Sequence, residues 1–465
     1  MLNRRGFLHG LSTLGFGSMA AGSTSFSPYA YAQMPALADY KSLVCVFLYG
    51  GNDSWNTLVP YSQAEYSAYA RSRGLGETWG LALERSQLLP ITSDAGGSDG
   101  ATYALNPNLR ALQPLYDSGR LAIIPSVGPL LEPTTKEQYV DAKRTGHRLP
   151  VQLFSHNNQQ DQWQSLNDGT DGRTGWGGRM VDQYESANPV GSLPTALAVG
   201  TQSLLITGNR SVPLVLGYSG EGELPLITWG AKSSVRGQIL KDIFTSSSEL
   251  SSIYGRAYGG ANMRTLRYTE VLGRTLQSAP NIPSLPDFLP AGAGLKQQLR
   301  SVAKLIAMRE QLGMTRQLFF VSMGGFDNHD ALMTDHPLLL QQLGDAMQSF
   351  QGAMEELDVA KSVTLFTSSD FGRTLTSNGD GSDHGWAGLQ FVMGGSVRGR
   401  RMYGSYPILE LDSESEIGSG IFIPGFSADQ YAATLARWFG VPNDLLPSIA
   451  PNLENFSVRN LEFLA

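Results

Sequence analysis

Residues 317–327, QLFFVSMGGFD, and residues 362–373, SVTLFTSSDFGR, decide the fold. Each opens as a short run of β-branched and aromatic residues and then breaks into a small, polar cluster. A near-continuous apolar run of this length reads as a strand buried on both faces, the habit of parallel sheets. Between the two runs, Leu339, Leu343, Met347, Phe350, Met354 and Leu357 recur three or four residues apart. That spacing predicts an amphipathic helix, and strand, helix, strand predicts a βαβ unit with parallel strands. Working outward, residues 42–48 (SLVCVFL) run into Tyr49, Gly50, Gly51, Asn52 and Asp53 in the same manner. Leu121 to Ile124 and Leu389 to Met393 read as further strands. Gly294 to Met308 and Ala428 to Phe439 read as helices, and Pro107 to Tyr116 as a short one. The expected architecture is α/β, with a central, mostly parallel sheet flanked by helices on both faces. A single domain over 33–465 is expected, with an insertion or cap around 189–290, where Gly and Ser are frequent and periodicity is weak.

Ligands of open parallel sheets bind beyond the carboxyl ends of the strands. Three strands present an aspartate there: Asp53, Asp327 and Asp370. Asp327 is followed two residues later by His329, and Asp370 soon after by Asp383 and His384. Carboxylates with imidazoles and no thiolate suit a divalent ion, Zn, Mn, Mg or Ca, of the kind that assists hydrolysis. The competing reading is that these residues form turns and satisfy local hydrogen bonds. Ser155 precedes a polar helical stretch and reads either as its N-cap or as a nucleophile meeting an anion at the helix end. His156 beside it could act as ligand or general base. Arg373 could hold an anion or pair with a nearby aspartate. Trp163, Trp176 and Trp386 could line a cleft or fill the core; His147 and His336 read as loop and helix-start residues.

The N-terminus carries Arg4 and Arg5, an apolar stretch interrupted by Gly, Ser and Thr, and Ala30, Tyr31, Ala32. This is the order of a twin-arginine leader, expected over 1–32, and it implies export through the twin-arginine machinery to the periplasm or beyond. The apolar stretch falls short of the ~20 residues that span a bilayer, so no integral span is expected in the mature protein. A single cysteine, Cys45, excludes an intramolecular disulfide. The net charge of −7, without a basic run, argues against nucleic acid as a partner.

The segments LYGGNDSWNTLVPY, LFSHNNQQDQWQS, GWGGRM, MGGFDNHD, SSDFGRT, DHGW, FVMGG and DQYAATLARWFG, in that order, resemble the bacterial proteins grouped as domain of unknown function 1501. The resemblance runs from about Leu43 to Phe439, and DFGRT followed by DHGW is its most specific part. It implies an alkaline phosphatase-like fold of the phosphatase and sulfatase superfamily. It also implies a two-metal site in which Asp53, Asp327 with His329, Asp370 and His384 are the ligands, Ser155 resembles the nucleophile and Arg373 an anion-binding residue. Two departures stand out. His329 is closer to Asp327 than the superfamily pattern has it, and Phe371 stands where a metal-binding histidine belongs. The implied function is exported, metal-dependent hydrolysis of phosphate or sulfate esters, small or polymeric. The alternative is a catalytically inactive member serving as an envelope binding or assembly protein, which Phe371 favours.

Overall fold

The computed structural model describes residues 37, 39–94, 102–167, 173–189, 192–216, 235–287, 289 and 294–465; the expected leader, 1–32, lies outside them. The apolar runs form strands. They are β1 (Lys41–Leu48), β2 (Leu121–Gly128), β3 (Ala196–Val199), β4 (Leu214–Leu216), β5 (Arg316–Met323), β6 (Val363–Ser369), β7 (Gly388–Gly394), β8 (Arg401–Met402) and β9 (Phe426–Ser427). They make one nine-stranded sheet in the order β8-β2-β7-β6-β1-β5-β3-β4, with β9 also on β2. Every pairing is parallel except the two made by β7, with β2 and with β6. The sheet is therefore mixed and mostly parallel. The strand-helix-strand unit around residues 316–369 differs from expectation in one respect. β5 and β6 are parallel but not neighbours, because β1 sits between them and pairs with both.

Seven of the helices bear on the argument: α1 (Ser54–Thr57), α2 (His156–Ser165), α3 (Val235–Ser248), α4 (Ile253–Ser278), α5 (Gly294–Ala307), α6 (Leu332–Glu356) and α7 (Ala428–Phe439). Helices cover both faces, as the alternation of side chains along β6 shows. Val363 and Leu365 join one core with Leu299 and Val302 of α5 and Leu343, Met347 and Phe350 of α6. Phe366, pointing the other way, meets the ring of Tyr431 from α7, with centroids 6.1 Å apart. Full burial of each such side chain contributes about 1.5–3 kcal/mol, so Phe350→Ala, which also opens a cavity, costs about 3–5 kcal/mol.

The region 189–290, expected as an insertion or cap, contributes β3 and β4 to the edge of the sheet and then the packed pair α3 and α4. Trp163, Trp176 and Trp386 are core residues, all nearly inaccessible, and do not line a cleft. Cys45 is buried in β1. Among the described residues no helix is long and apolar enough to cross a membrane.

Candidate metal centre

β1, β5 and β6 lie side by side and parallel, so the loops that leave them converge. Two glycines let the β1 loop approach the others. A Cβ on Gly50, which has φ +115°, would meet the backbone N of Asp327 at 2.3 Å, and one on Gly51, at φ +90°, would strike the Phe371 ring at 2.5 Å. Both positions require glycine on conformation and on space. The loop after β6 folds back on itself through a backbone bridge between Arg373 and His384, which brings His384 to the same end of the sheet. His156, the first residue of α2, enters from the other side.

The centre is the Asp327 carboxylate, with its side chain 47% exposed. Arg373 Nη1 and Nη2 both donate to its Oδ1 at 3.1 Å from a fully buried guanidinium. Three imidazoles surround it. His156 Nε2 lies 3.4 Å from Oδ2, His384 Nε2 3.4 Å from Oδ1 and His329 Nε2 3.2 Å from Oδ1. His329 and His384 approach each other through their Nε2 atoms at 2.8 Å.

Outer partners decide which ring nitrogens face inward. His384 Nδ1 lies 2.7 Å from the Phe154 carbonyl oxygen, which can only accept, so Nδ1 carries the proton and Nε2 offers a lone pair. His156 Nδ1 lies 2.7 Å from Asp370 Oδ2, and the same logic turns its Nε2 lone pair toward Asp327. Gln160 Nε2 donates to that same Asp370 oxygen at 2.7 Å. The ring of Phe371 packs on His156 and His384, with centroids 4.8 and 4.5 Å away. Carboxylate or carbonyl behind imidazole is the arrangement that orients metal-binding histidines.

Electrostatics favour a cation at this point. Partial burial pushes the Asp327 carboxyl up, but Arg373 and then the three imidazoles outweigh it and hold the carboxyl below its ordinary range. His384 is pushed down by burial, against the opposing pull of the Phe154 carbonyl, and His156, Arg373 and His329 add to the decrease. A neutral His384 beside an ionised Asp327 is the protonation state a divalent ion needs.

The residues fit such an ion. His156, Asp327 and His384 each offer one ligand atom, all within 4.8 Å of one another. His156 Nε2 and His384 Nε2 approach opposite oxygens of the Asp327 carboxylate, each at 3.4 Å, so the three groups border one common space. Two imidazoles and a carboxylate, with His329 adjacent, suit zinc or another ion of the first transition row better than magnesium or calcium.

The sequence-derived candidates therefore separate. Asp327 and His384 meet, His329 joins them, and His156 belongs with them. Asp370 stands behind His156, its accessible surface nil and its Oδ2 already shared by His156 and Gln160. Asp53 lies elsewhere: it caps α1 through Trp55 N, and Arg73 Nη1 donates to its Oδ1 at 2.9 Å in a sealed ion pair. Arg373 is consumed by Asp327. Ser155 holds the N-cap position of α2 without capping it; its hydroxyl accepts from Asn158 Nδ2 at 3.0 Å. Arg73, Gln160 and the Phe154 carbonyl carried no signal in the sequence, since each acts through one contact with a residue remote along the chain. His147 is a loop residue bonded to Thr134 and Glu132, and His336 is buried on α6.

No curated protein matches the chain. Among solved structures it is similar to the lipoteichoic acid synthase LtaP from Listeria monocytogenes, at 8% identity over 90% of this chain and 75% of that one, with a TM-score of 0.31. It is also similar to Ps i-CgsB, solved in complex with k-i-k-neocarrahexaose, at 8% identity over 89% and 77% of the two chains and a TM-score of 0.31. Likenesses this distant carry neither activity nor fold detail across. Residues 285–419, the segment that holds Asp327, His329, Asp370, Arg373 and His384, match the family described as a protein of unknown function (DUF1501).

Proposed function

We propose that the chain is a divalent-metal-dependent hydrolase of phosphate or sulfate esters, exported through the twin-arginine route, with one ion held by His156, Asp327 and His384 and His329 beside them. The observation that carries this reading is the convergence of two imidazole lone pairs, each fixed from behind, on one half-open carboxylate. A divalent ion there would supply Lewis-acid polarisation of a phosphoryl or sulfuryl oxygen. The chain's own residues do the rest. Asp370 and the Phe154 carbonyl orient the ligand rings, and Arg373 anchors Asp327. His329, its side chain 43% exposed and its Nδ1 3.2 Å from Asp383 Oδ1, is placed to accept or release a proton at the open side. Arg73 holds Asp53 Oδ1, and His156 and Gln160 hold Asp370 Oδ2, while Asp53 Oδ2 and Asp370 Oδ1 are buried without a partner; among the described residues only His156, Asp327 and His384 converge within reach of a common ion, so the reading is of one ion rather than two.

The second reading, a binding or assembly protein of the cell envelope without catalysis, is favoured by Phe371, whose ring fills the space against His156 and His384. Elemental mass spectrometry of the full chain decides first. About one equivalent of zinc or a similar metal, lost in Asp327→Ala and His384→Ala, supports the site; a metal-free wild type ends the hydrolase reading. Metal without turnover of any phosphate or sulfate monoester moves the conclusion to the second reading.

A further inference from the structure

The segment before α2 is held in an unusual conformation. Gln152 and Phe154 both have positive φ, 48° and 73°, which residues with a side chain rarely adopt. The strain sits where it directs one atom: the Phe154 carbonyl oxygen, which accepts from His384 Nδ1. What holds Phe154 in place is Gln159, one turn into α2 and fully buried, whose Oε1 accepts from the Phe154 backbone N–H at 2.6 Å. Neighbouring tethers hold the rest of the loop, from Ser155 N to the Gln152 carbonyl and from Gln162 Nε2 to the Val151 carbonyl. None of these grips Phe154 itself.

We infer that Gln159 is a positioning residue for the metal centre, acting through the Phe154 peptide to keep the proton of His384 on Nδ1 and the lone pair on Nε2. The inference rests on the reading of His384 as a ligand. Without the Gln159 acceptor, Phe154 relaxes toward ordinary negative φ and its carbonyl turns away. The neutral imidazole of His384 then no longer has a fixed acceptor behind it, and the tautomer with the proton on Nε2, which cannot bind a cation, becomes populated. Gln160, the next residue, does the same for His156 through Asp370, so successive residues of one helical turn set both rings.

The test uses the full chain, metal-free and labelled with 15N only at histidine, near pH 8. The wild type is expected to show His384 with its proton on Nδ1. Gln159→Met, which keeps the bulk and removes the acceptor, is expected to give a mixture of tautomers and to weaken zinc binding about tenfold by calorimetry. Gln159→Glu retains an acceptor oxygen and is expected to retain the wild-type tautomer. A folded Gln159→Met with His384 unchanged overturns the proposal. Should that variant not fold, Gln159→Asn, one methylene shorter, withdraws the same acceptor while keeping an amide, and the same resonance must move in the same direction. A wild type with the expected tautomer that binds no zinc would refute the metal reading and leave the positioning role standing.

Discussion

Asp53 and Asp327 leave the ends of neighbouring parallel strands, and each receives an arginine, yet their surroundings differ in every other respect. Asp53 is 1% exposed, capped onto α1 and matched to the equally buried Arg73, with Tyr69, Tyr406 and His336 closing the space around it. Asp327 is open on one side, shares Arg373 with no second counter-charge, and faces three imidazoles. The first arrangement pairs its charge internally, through Asp53 Oδ1 and Arg73 Nη1, and holds two loops together. The second leaves lone pairs pointed at a common centre with room for an added cation. Topological position alone therefore does not decide an aspartate's surroundings; the residues that reach it from distant parts of the chain do.

The largest test of this contrast is on stability. Arg73→Met leaves the Asp53 carboxylate buried and unpaired and is expected to cost about 3–5 kcal/mol in urea unfolding, whereas His329→Ala, at the open side of Asp327, costs under about 1 kcal/mol. Asp53→Asn combined with Arg73→Met should recover most of the loss. Equal costs for the two single changes would erase the distinction. Next is metal affinity: His384→Ala and Asp327→Asn are expected to weaken zinc binding about 100-fold or more, near 2.7 kcal/mol, and Asp53→Asn to leave it unchanged. A third test uses pH. Burial, with Arg73 and Arg373 nearby and only Asp53 opposing, brings the His336 pKa down to about 4 from its ordinary 6.5. The unfolded chain therefore binds this proton first, so the contribution is intact above 6.5 and is lost as pH falls toward 4. Between pH 7 and pH 5 the loss is about 2 kcal/mol, and it should disappear in His336→Gln if that ring is its source. The smallest effect belongs to the outer shell. Asp370→Asn, which weakens the grip on His156 without removing a ligand, should raise the zinc dissociation constant about tenfold.

The sheet was legible because its central strands are buried on both faces, so QLFFV, SVTLF and SLVCVFL show unbroken apolar runs. Their loop ends were legible for the same reason, and Asp327 and His384 followed. What could not be read was the side-chain traffic between loops. Asp370 and His156 are 214 residues apart, and only the approach of α2 to the end of β6 brings the Asp370 carboxylate against the His156 ring. Arg73 follows the helix Gln63–Ser72, whose pattern gives no hint that the next residue turns inward to Asp53. The place of β1 between β5 and β6 was equally hidden, since apolar runs do not state their neighbours.

That placement has a consequence for how the chain is born. The central strand is made well before its two partners, which end at Met323 and Ser369. At about 5–20 residues per second, Ser42 to Leu48 waits on the order of tens of seconds before either edge can pair. Throughout that time a fully apolar strand stands with both edges open to misassociation. Both partners must be made before the sheet can close around this strand, so its fate in the interval is set by whatever shields those edges.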